Sequence, residues 1–437
     1  LPHVVYTDDL LFSCSPDSLK DIREAVTEQR LNRVVVASCT PRTHGPLFEE
    51  NIREAGLNPY LFEMANIRNQ CSWVHRDEPD KATAKAKTLV AMAVARASHL
   101  EPLHQISQGL SHRALVVGGG VAGMTAALSM ADQGFPTVLV ERSPQLGGRL
   151  LEQDILTSGL DSEEVAGRLV EQVQSNPDIE VLTQCEVVKS IGFVGNFKTT
   201  VANSDEPTQR LIEHAVTVIA TGGQEYRSSK YLLGTHPAVM TMGDLEKAFK
   251  NDDARLRQAR RIVVIQCVGP WNEQASYCSR VCCAVTMKNI RRLKELNPSS
   301  QMFVLYKDIR TYGQQEELYT EARRQGAVFL RYTDDDPPVM LATEEDVSIY
   351  VNDPSLKELL DLKLDLRTDL LVISTAMVPS QGAQELGEVF KIPLTGEGFF
   401  QEAHPKLRPV DFASEGVFLC GVAHYPKSVD EAIVQGK

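Results

Sequence analysis

The sequence lacks the features of a membrane-inserted or exported protein. Its 437 residues contain no run of the roughly 18 consecutive apolar residues that a membrane-spanning helix needs. No basic segment precedes the apolar start, so no signal peptide is predicted. An initiator methionine is also missing, and residues 431–437 look like an unfinished helix. We therefore expect this chain to be part of something longer.

The sequence also lacks an excess of positive charge. It has 45 Lys and Arg against 58 Asp and Glu, a net charge of -13. This balance argues against nucleic acid or an anionic membrane surface as the main partner. Internal repeats and low-complexity tracts are absent, and a hydrophobic content of 43% suits two or three globular domains.

The cysteines are too few and too uneven for a disulfide framework. They number nine, an odd count in a large chain, so we expect a reducing, cytoplasmic location. Five of them are scattered: Cys14, Cys39, Cys71, Cys185 and Cys420. The other four fall within 17 residues: Cys267, Cys278, Cys282 and Cys283. This second group is the one whose spacing indicates a function.

Residues 1–108 are predicted to form a small α/β domain. The expected strands are 4–6 and 34–38. The expected helices run over about 15–29, 47–55 and 81–99. The polar, aperiodic stretch 101–112 is expected to be a linker.

A glycine motif then follows an apolar strand and opens a helix. It reads Gly118-x-Gly120-x-x-Gly123, with Val121 and Ala122 inside it, and Glu141 lies 23 residues past Gly118. In such a unit the glycines allow a tight turn, a close approach to a pyrophosphate, and helix packing on the strand. The helix N-terminus attracts phosphate, and the acid accepts hydrogen bonds from ribose hydroxyls. The pattern predicts a dinucleotide site rather than a glycine turn without a ligand.

Three later segments favour FAD as that dinucleotide. Arg142, Gly148 and Arg149 follow Glu141 closely, as in flavoproteins with two nucleotide domains. Thr221 and Gly222 end a strand that resembles the signature closing an FAD domain. Gly421 ends a C-terminal strand that in such proteins normally finishes in Gly-Asp, but here the next residue is Val422. We assign all of these residues except Val422 to FAD binding.

The expected fold is a thioredoxin-reductase-like α/β flavoprotein with two dinucleotide-binding domains after the N-terminal one. Residues 109–252 and 356–437 would form the FAD domain, and 253–355 the second domain. That second domain opens with a strand at 261–265, but no Gly-x-Gly-x-x-Gly/Ala follows, and Pro270 cannot donate an N–H. We infer that it has lost nicotinamide binding.

The clustered cysteines offer another route for electrons. Thiolates are the ligands of iron–sulfur clusters, and four are needed for a [4Fe-4S] cluster. A helix over 277–293 would put Cys278 and Cys282 on one face, with Cys283 about 100° around the axis. Zinc, a redox disulfide and buried structural thiols remain the alternatives.

Several segments resemble the A subunit of heterodisulfide reductase. They are residues 37–42 (ASCTPR), 58–68 (NPYLFEMANIR), 70–75 (QCSWVH), 194–198 (VGNFK), 267–269 (CVG), 277–283 (YCSRVCC) and 305–310 (LYKDIR). The resemblance covers nearly the whole chain. It implies FAD and several [4Fe-4S] clusters in a cytoplasmic multi-subunit complex. The implied partners are other subunits and a ferredoxin-like, hydrogenase or dehydrogenase electron donor.

The resemblance also implies roles for single residues. Cys267, Cys278, Cys282 and Cys283 would ligate one cluster beside the flavin. Lys288 matches a lysine near flavin N5, where a cation would stabilise the reduced form; by itself it reads as a solvated helix lysine. Three more cysteines match positions in an N-terminal cluster domain, although small buried thiols are an equal alternative: Cys14, Cys39 and Cys71.

The chain departs from the methanogen proteins in two places. A ferredoxin-like module inserted after the segment ending at Lys198 is absent, and a C-terminal module is absent or cut off. We therefore predict an electron-transfer subunit, with flavin-based bifurcation left open. The alternatives are a stand-alone FAD-dependent disulfide reductase that uses Cys282 and Cys283, and a scaffold in which FAD is structural.

Overall fold

The computed structural model describes residues 1–203, 208–269, 277–343, 347–360 and 363–437. Pro270, on which part of the sequence argument rests, lies outside these ranges. The chain divides into two compact units, Leu1–Gln108 and Gly109–Lys437. No helix in the described ranges is both long enough and apolar enough to cross a membrane.

The first unit is a pair of parallel strands with helices packed against them. The strands are β1 (Val34–Ser38) and β2 (Phe62–Asn66), and the helices are α1 (Pro16–Glu28), α2 (Pro41–Glu54) and α3 (Pro79–Ser98). Phe48 of α2 is fully buried against Val36 and Met64 of the two strands. Apolar burial of this kind holds the helix on the sheet.

Two expectations for this unit need correction, and one strand was missed. Residues 4–6 are exposed and form no strand, because no neighbouring strand pairs with them among the described residues. α2 begins at Pro41 instead of residue 47, since the Thr40 side chain caps it by accepting from the Arg42 N–H. The strand β2 was not predicted.

The second unit opens with a five-stranded parallel sheet. Its strands are β3 (Ala114–Val117), β4 (Thr137–Val140), β5 (Ile179–Leu182), β9 (Val216–Ile219) and β20 (Val417–Leu419), in the order β20-β9-β3-β4-β5. The helices of this layer are α4 (Val121–Asp132), α5 (Ser162–Ser175), α11 (Ala383–Phe390) and α12 (Val429–Gly436). An antiparallel meander of β6 (Cys185–Ile191), β7 (Phe197–Asn203) and β8 (Gln209–His214) shares its core.

A second parallel sheet has the order β11-β18-β12-β13-β14. These strands are β11 (Val239–Thr241), β12 (Arg261–Val268), β13 (Gln301–Tyr306), β14 (Val328–Arg331) and β18 (Leu370–Thr375). Its helices are α6 (Met242–Lys250), α7 (Ala254–Gln258), α8 (Cys282–Leu296) and α9 (Gln315–Arg324). Because β11 and β18 belong to it, this sheet extends beyond residues 253–355 on both sides.

Two smaller features complete the second unit. An antiparallel sheet contains β15 (Val339–Ala342), β16 (Val347–Val351) and β17 (Leu364–Thr368), with α10 (Pro354–Leu360) between its last two strands. The short strands β10 (Gly223–Glu225) and β19 (Met377–Pro379) pair with each other. β10 follows β9 of the first sheet, and β19 follows β18 of the second. The pairing of β10 with β19 therefore joins the segment that leaves the first sheet to the segment that leaves the second sheet.

Candidate functional site

The glycine turn between β3 and α4 leaves open space at one position only among its three motif glycines. A Cβ on Gly123 would lie 1.8 Å from the Gly118 carbonyl oxygen, and one on Gly118 would lie 2.4 Å from the Ala220 oxygen. Gly118 also has a φ of +113°. By contrast, a Cβ on Gly120 would meet no described atom within 4 Å. Gly118 and Gly123 are thus needed for packing, whereas Gly120 faces a space that a ligand can approach.

That space lies at the N-terminus of α4. Gly120 is the N-cap residue, and within the described chain no side chain caps this helix. The first N–H groups of a helix, here those of Val121, Ala122 and Gly123, have no intrahelical acceptor. Together with the helix dipole they form an anion site of the kind that binds a pyrophosphate.

Glu141 is fixed beside this turn at the end of β4. Its carboxylate is buried and accepts from the Gly119 N–H at 2.5 Å and from the Ser143 N–H at 2.8 Å. A carboxylate has further lone pairs that can accept from hydroxyl groups. The position therefore suits a ribose, and its negative charge disfavours a 2′-phosphate.

The segment after Glu141 closes over the turn. The Gly147 N–H donates to the Gly119 oxygen at 2.9 Å, and a Cβ on Gly148 would lie 3.1 Å from the Gly120 Cα. Arg149 continues from there into a cavity. The Arg142 guanidinium is exposed and donates to the Gln381 oxygen at 3.0 Å.

The ends of β9 and β20 complete the site. Among the described residues, the buried Thr221 hydroxyl has no hydrogen-bond partner, and a Cβ on Gly222 would meet no atom within 4 Å. Gly421 packs on the start of α4, where its Cβ would lie 2.6 Å from that of Ala122. Because β3, β9 and β20 are parallel, these residues meet at one edge of the sheet, where open α/β sheets bind ligands. The glycine cradle and the unsatisfied hydroxyl fit FAD.

A cavity adjoins this edge and leads to the second sheet. Arg149 and Gln153 line it on the FAD side, and Cys282 and Val285 of α8 line it opposite. Among the polar lining residues that sequence reasoning missed are Glu225, Glu246, Lys427 and Ser428. Only the last two carried a usable signal, because they stand shortly after Gly421 and directly before a helix.

All four clustered cysteines line a second cavity, of about 320 Å³. A single water occupies roughly 30 Å³, so this space has room for a polyatomic group. Cys282, Ser374 and Ala376 line both cavities. The structure therefore brings the predicted cysteine ligands together and places one of them at the boundary of the flavin-side cavity.

The local backbone differs from the predicted helix over 277–293. α8 begins at Cys282, and Arg280 before it has a φ of +60°, which an α-helix does not allow. Cys278 therefore reaches the cavity from a non-helical segment, and the explanation that put it on a helix face with Cys282 is wrong. Cys267 has a φ of +62° where the pairing of β12 with β18 shifts register. Such bulges redirect side chains near functional sites.

Backbone N–H groups point at several of these sulfur atoms. The Arg310 N–H donates to Cys283 Sγ at 3.4 Å, and the Arg280 N–H donates to Cys278 Sγ at 3.3 Å. Burial raises the pKa of Cys282 to about 12 and that of Cys283 to about 11, and the neighbouring cysteines contribute to both increases. Binding to a metal deprotonates a thiol outright, so cationic iron would offset this cost.

The four thiols are spread around the cavity. In the part of the chain that the structure describes, no three His, Cys, Asp or Glu side chains are grouped as ligands of one metal ion. A [4Fe-4S] cluster takes one thiolate at each of four irons, so its ligands surround a volume instead of a point. Four cysteines around one cavity, with backbone N–H donors to Cys278 and Cys283, fit such a cluster.

Lys288 is buried on α8, with 3% of its surface exposed, and is not a solvated helix lysine. Its ammonium donates to Glu246 Oε1 and to the Ile155 oxygen, both at 2.6 Å. Burial lowers the pKa of Lys288, and the charge of Glu246 opposes that change. Glu246 also accepts from Asn289 at 2.6 Å and from the Asp154 N–H at 3.0 Å. It is Glu246 that lines the flavin-side cavity.

The three N-terminal cysteines make separate contacts. Cys14 is exposed. The buried Cys39 lies 3.2 Å from His44 Nδ1, and the buried Cys71 donates to the Ala82 oxygen at 2.8 Å. In the described first unit, no hydrogen bond joins one of these thiols to another. A cluster in this unit stays a prediction from the resemblance.

Comparison with known sequences identifies similar proteins. A family model described as pyridine nucleotide-disulphide oxidoreductase matches residues 112–269. The A subunit of H(2):CoB-CoM heterodisulfide,ferredoxin reductase from Methanothermobacter thermautotrophicus is 33% identical over all of this chain and 79% of its own length. An iron-sulfur A subunit of CoB--CoM heterodisulfide reductase from Methanopyrus kandleri is 33% identical over all of this chain and 80% of its own length. The first alignment spans 529 positions against 437 residues here, so that relative carries residues within the matched region that this chain lacks.

Comparison with solved structures identifies the fold. Thioredoxin reductase of T. acidophilum superposes with a TM-score of 0.51 at 13% identity, covering 76% of this chain and 96% of that one. The Lactococcus lactis enzyme gives 0.51 at 15% identity, covering 74% and 95%. The thioredoxin-reductase-like fold predicted from the sequence is thus confirmed.

Proposed function

Because the chain belongs to the family of heterodisulfide reductase A subunits, which are oxidoreductases, we propose that it is an electron-transfer subunit that binds FAD and a [4Fe-4S] cluster. FAD, when bound, exchanges electrons singly or in pairs, and so connects one-electron clusters with two-electron substrates. The observation that carries the proposal is the position of Cys282 on the wall between the two cavities. A ligand there would put the cluster next to the flavin.

Different residues of the chain would bind the two cofactors. The Gly120 turn and the N-terminus of α4 bind the pyrophosphate, and Glu141 orients the ribose. Thr221 offers its unsatisfied hydroxyl beside them. The four cysteines hold the cluster, and the N–H groups that point at their sulfur atoms stabilise its negative charge. Such hydrogen bonds are one of the means by which proteins set cluster potentials.

The disulfide reductase alternative has less structural support. Cys282 and Cys283 are adjacent in the first turn of α8, and neighbouring helical side chains diverge by about 100°. Their thiols donate to different acceptors, Thr375 O at 3.7 Å and Gln266 Oε1 at 3.3 Å. A bond between them would require that turn of helix to unwind.

The proposal extends to an assembly. Both relatives reported above are named as subunits, and the name of the first includes ferredoxin. We propose that this chain works in a cytoplasmic complex, with other subunits and a ferredoxin-like, hydrogenase or dehydrogenase donor. Bifurcation is the most specific form of this activity. In this chain, bifurcation would need an electron path that does not use the residues that the Methanothermobacter thermautotrophicus relative carries within the matched region and this chain lacks.

Anaerobic purification with metal analysis tests the proposal. We expect bound FAD with about four iron and four sulfide atoms per cluster. We also expect reduced ferredoxin to bleach the flavin in stopped-flow experiments. Protein without iron but with one titratable disulfide would support the reductase alternative instead. A flavin that never bleaches would leave only a structural role for FAD.

We propose that Lys288 acts on the flavin indirectly, because its ammonium holds the Glu246 carboxylate that lines the cavity. Replacing it (Lys288→Ala) should leave the Glu246 carboxylate buried and unpaired, which costs about 3–5 kcal/mol of unfolding free energy. The double variant Lys288→Ala, Glu246→Gln should recover part of this loss, as a double-mutant cycle would measure. A changed flavin potential in the double variant is the second expected result. If the redox titration of the double variant is unchanged, the ion pair of Lys288 with Glu246 has only a structural role.

A further inference from the structure

A polar network lies where the chain leaves the C-terminal strand of the FAD layer. Gln435 Oε1 accepts from the Gly421 N–H at 3.0 Å and from Lys427 Nζ at 2.6 Å. His424 Nδ1 lies 3.4 Å from the same ammonium and 3.1 Å from Gln435 Nε2. The other ring nitrogen of His424 bonds to Glu402 at 3.0 Å. The network therefore fixes Lys427 relative to Gly421 and the start of α4.

Lys427 carries a charge that its close partners do not cancel. It forms no ion pair within the described ranges, and its hydrogen-bond partners Gln435 and His424 offer uncharged atoms. The nearby carboxylates are engaged elsewhere: Glu431 with Arg280 at 2.9 Å, and Glu402 with His424. Lys288 differs, because Glu246 neutralises it directly.

Lys427 is one of the residues that line the flavin-side cavity, together with Ser428 and Val429 at the N-terminus of α12. The other charged residues lining it are Arg149, Glu152, Glu225 and Glu246. Burial lowers the pKa of Lys427 to about 8, so the protonated form still predominates at pH 7. A partly buried cation at a helix N-terminus gains from an anion bound close to it.

We propose that Lys427 supplies the positive charge that stabilises reduced FAD in this cavity, an inference that rests on the proposed FAD binding. Uptake of two electrons and one proton converts neutral oxidised flavin into a singly negative reduced flavin. The charge appears on the ring only on reduction, so a fixed cation favours the reduced form. Charge near the ring is a recognised means by which proteins tune a flavin.

The test compares three variants of the FAD-loaded chain. Lys427→Met removes the charge at similar length, Lys427→Arg keeps it, and Lys406→Met removes an exposed lysine elsewhere in the FAD layer. Sulfite adds to oxidised flavin and leaves a negative ring, so it probes the same charge without turnover. We expect Lys427→Met to bind sulfite about tenfold more weakly and to shift the two-electron equilibrium about tenfold toward oxidised FAD, or about 30 mV. Lys427→Arg and Lys406→Met should behave as the wild type.

FAD content separates the two proposals. A wild-type chain that cannot hold FAD refutes the proposed function. Variants that hold stoichiometric FAD but titrate like the wild type refute the role of Lys427 alone. An equal loss of sulfite affinity in Lys406→Met would also refute it. If Lys427→Met fails to fold, Lys427→Gln serves as the charge-free variant with the same expected result.

Discussion

Replacing Cys282 by serine should remove the iron–sulfur cluster while leaving FAD bound. Cys282 lies at the boundary of both cavities, and a serine hydroxyl is a far poorer ligand for iron than a thiolate. Loss of a supporting residue around a metal already costs 10–100-fold in affinity, so loss of a ligand should cost at least about 100-fold. We expect iron and sulfide to fall by about tenfold in purified protein. Flavin reduction by ferredoxin should be lost with them.

A buried cysteine outside the cavities provides the control. Cys185 lies in β6, packed in the core under the first sheet. Cys185→Ser should retain iron, sulfide and flavin reduction, although its stability can fall. Full iron content in Cys282→Ser would exclude this residue from the ligand set. If Cys282→Ser keeps the cluster but loses disulfide chemistry, the result would favour the reductase alternative.

The glycine motif could be predicted from sequence because each part of it acts locally. Gly118 and Gly123 are required by contacts within a few residues or with the neighbouring strand end at Ala220. The strand β4 is equally local, since four apolar or β-branched residues, Thr137–Val140, stand directly before Glu141. Such patterns carry their own physical reason.

The route of the chain into α8 could not be predicted in the same way. The residues before Cys282 have acceptable helix propensity, and no sequence rule places Arg280 at positive φ. That conformation is stabilised by distant contacts: the Ser279 hydroxyl accepts from the Met377 N–H at 2.9 Å, and Arg280 pairs with Glu431. Tertiary contacts thus overrode local preference.

The polar residues of the flavin-side cavity were missed for a related reason. Glu246 and Lys288 are 42 positions apart in sequence and meet only because α6 and α8 pack on one sheet. Lys427 looks like a surface residue until its hydrogen bond to Gln435 is known. Partners offset the desolvation cost of buried charges, and those partners are set by the fold.

A substitution in the glycine turn should have an effect on FAD binding as large as the effect of Cys282→Ser on cluster binding. Gly120→Val should greatly weaken FAD binding without unfolding the chain. Gly120 has a φ of -78° and a ψ of -176°, which valine adopts readily, and its Cβ would meet no described atom. The added side chain would fill the space at the α4 N-terminus. We expect on the order of 100-fold weaker FAD binding, about 3 kcal/mol, measured by fluorescence titration of the apoprotein.

Gly123→Ala provides the contrast within the same motif. A Cβ there would lie 1.8 Å from the Gly118 oxygen, so the backbone of strand and helix must separate. Overpacking of this kind costs about 1–3 kcal/mol or more, and we expect the unfolding free energy to fall by that amount. Gly120→Val should instead keep wild-type stability in the absence of FAD, within about 0.5 kcal/mol. If the two variants lose stability equally, then Gly120 is a packing glycine as well. The open space before α4 would not then be the place where the pyrophosphate binds.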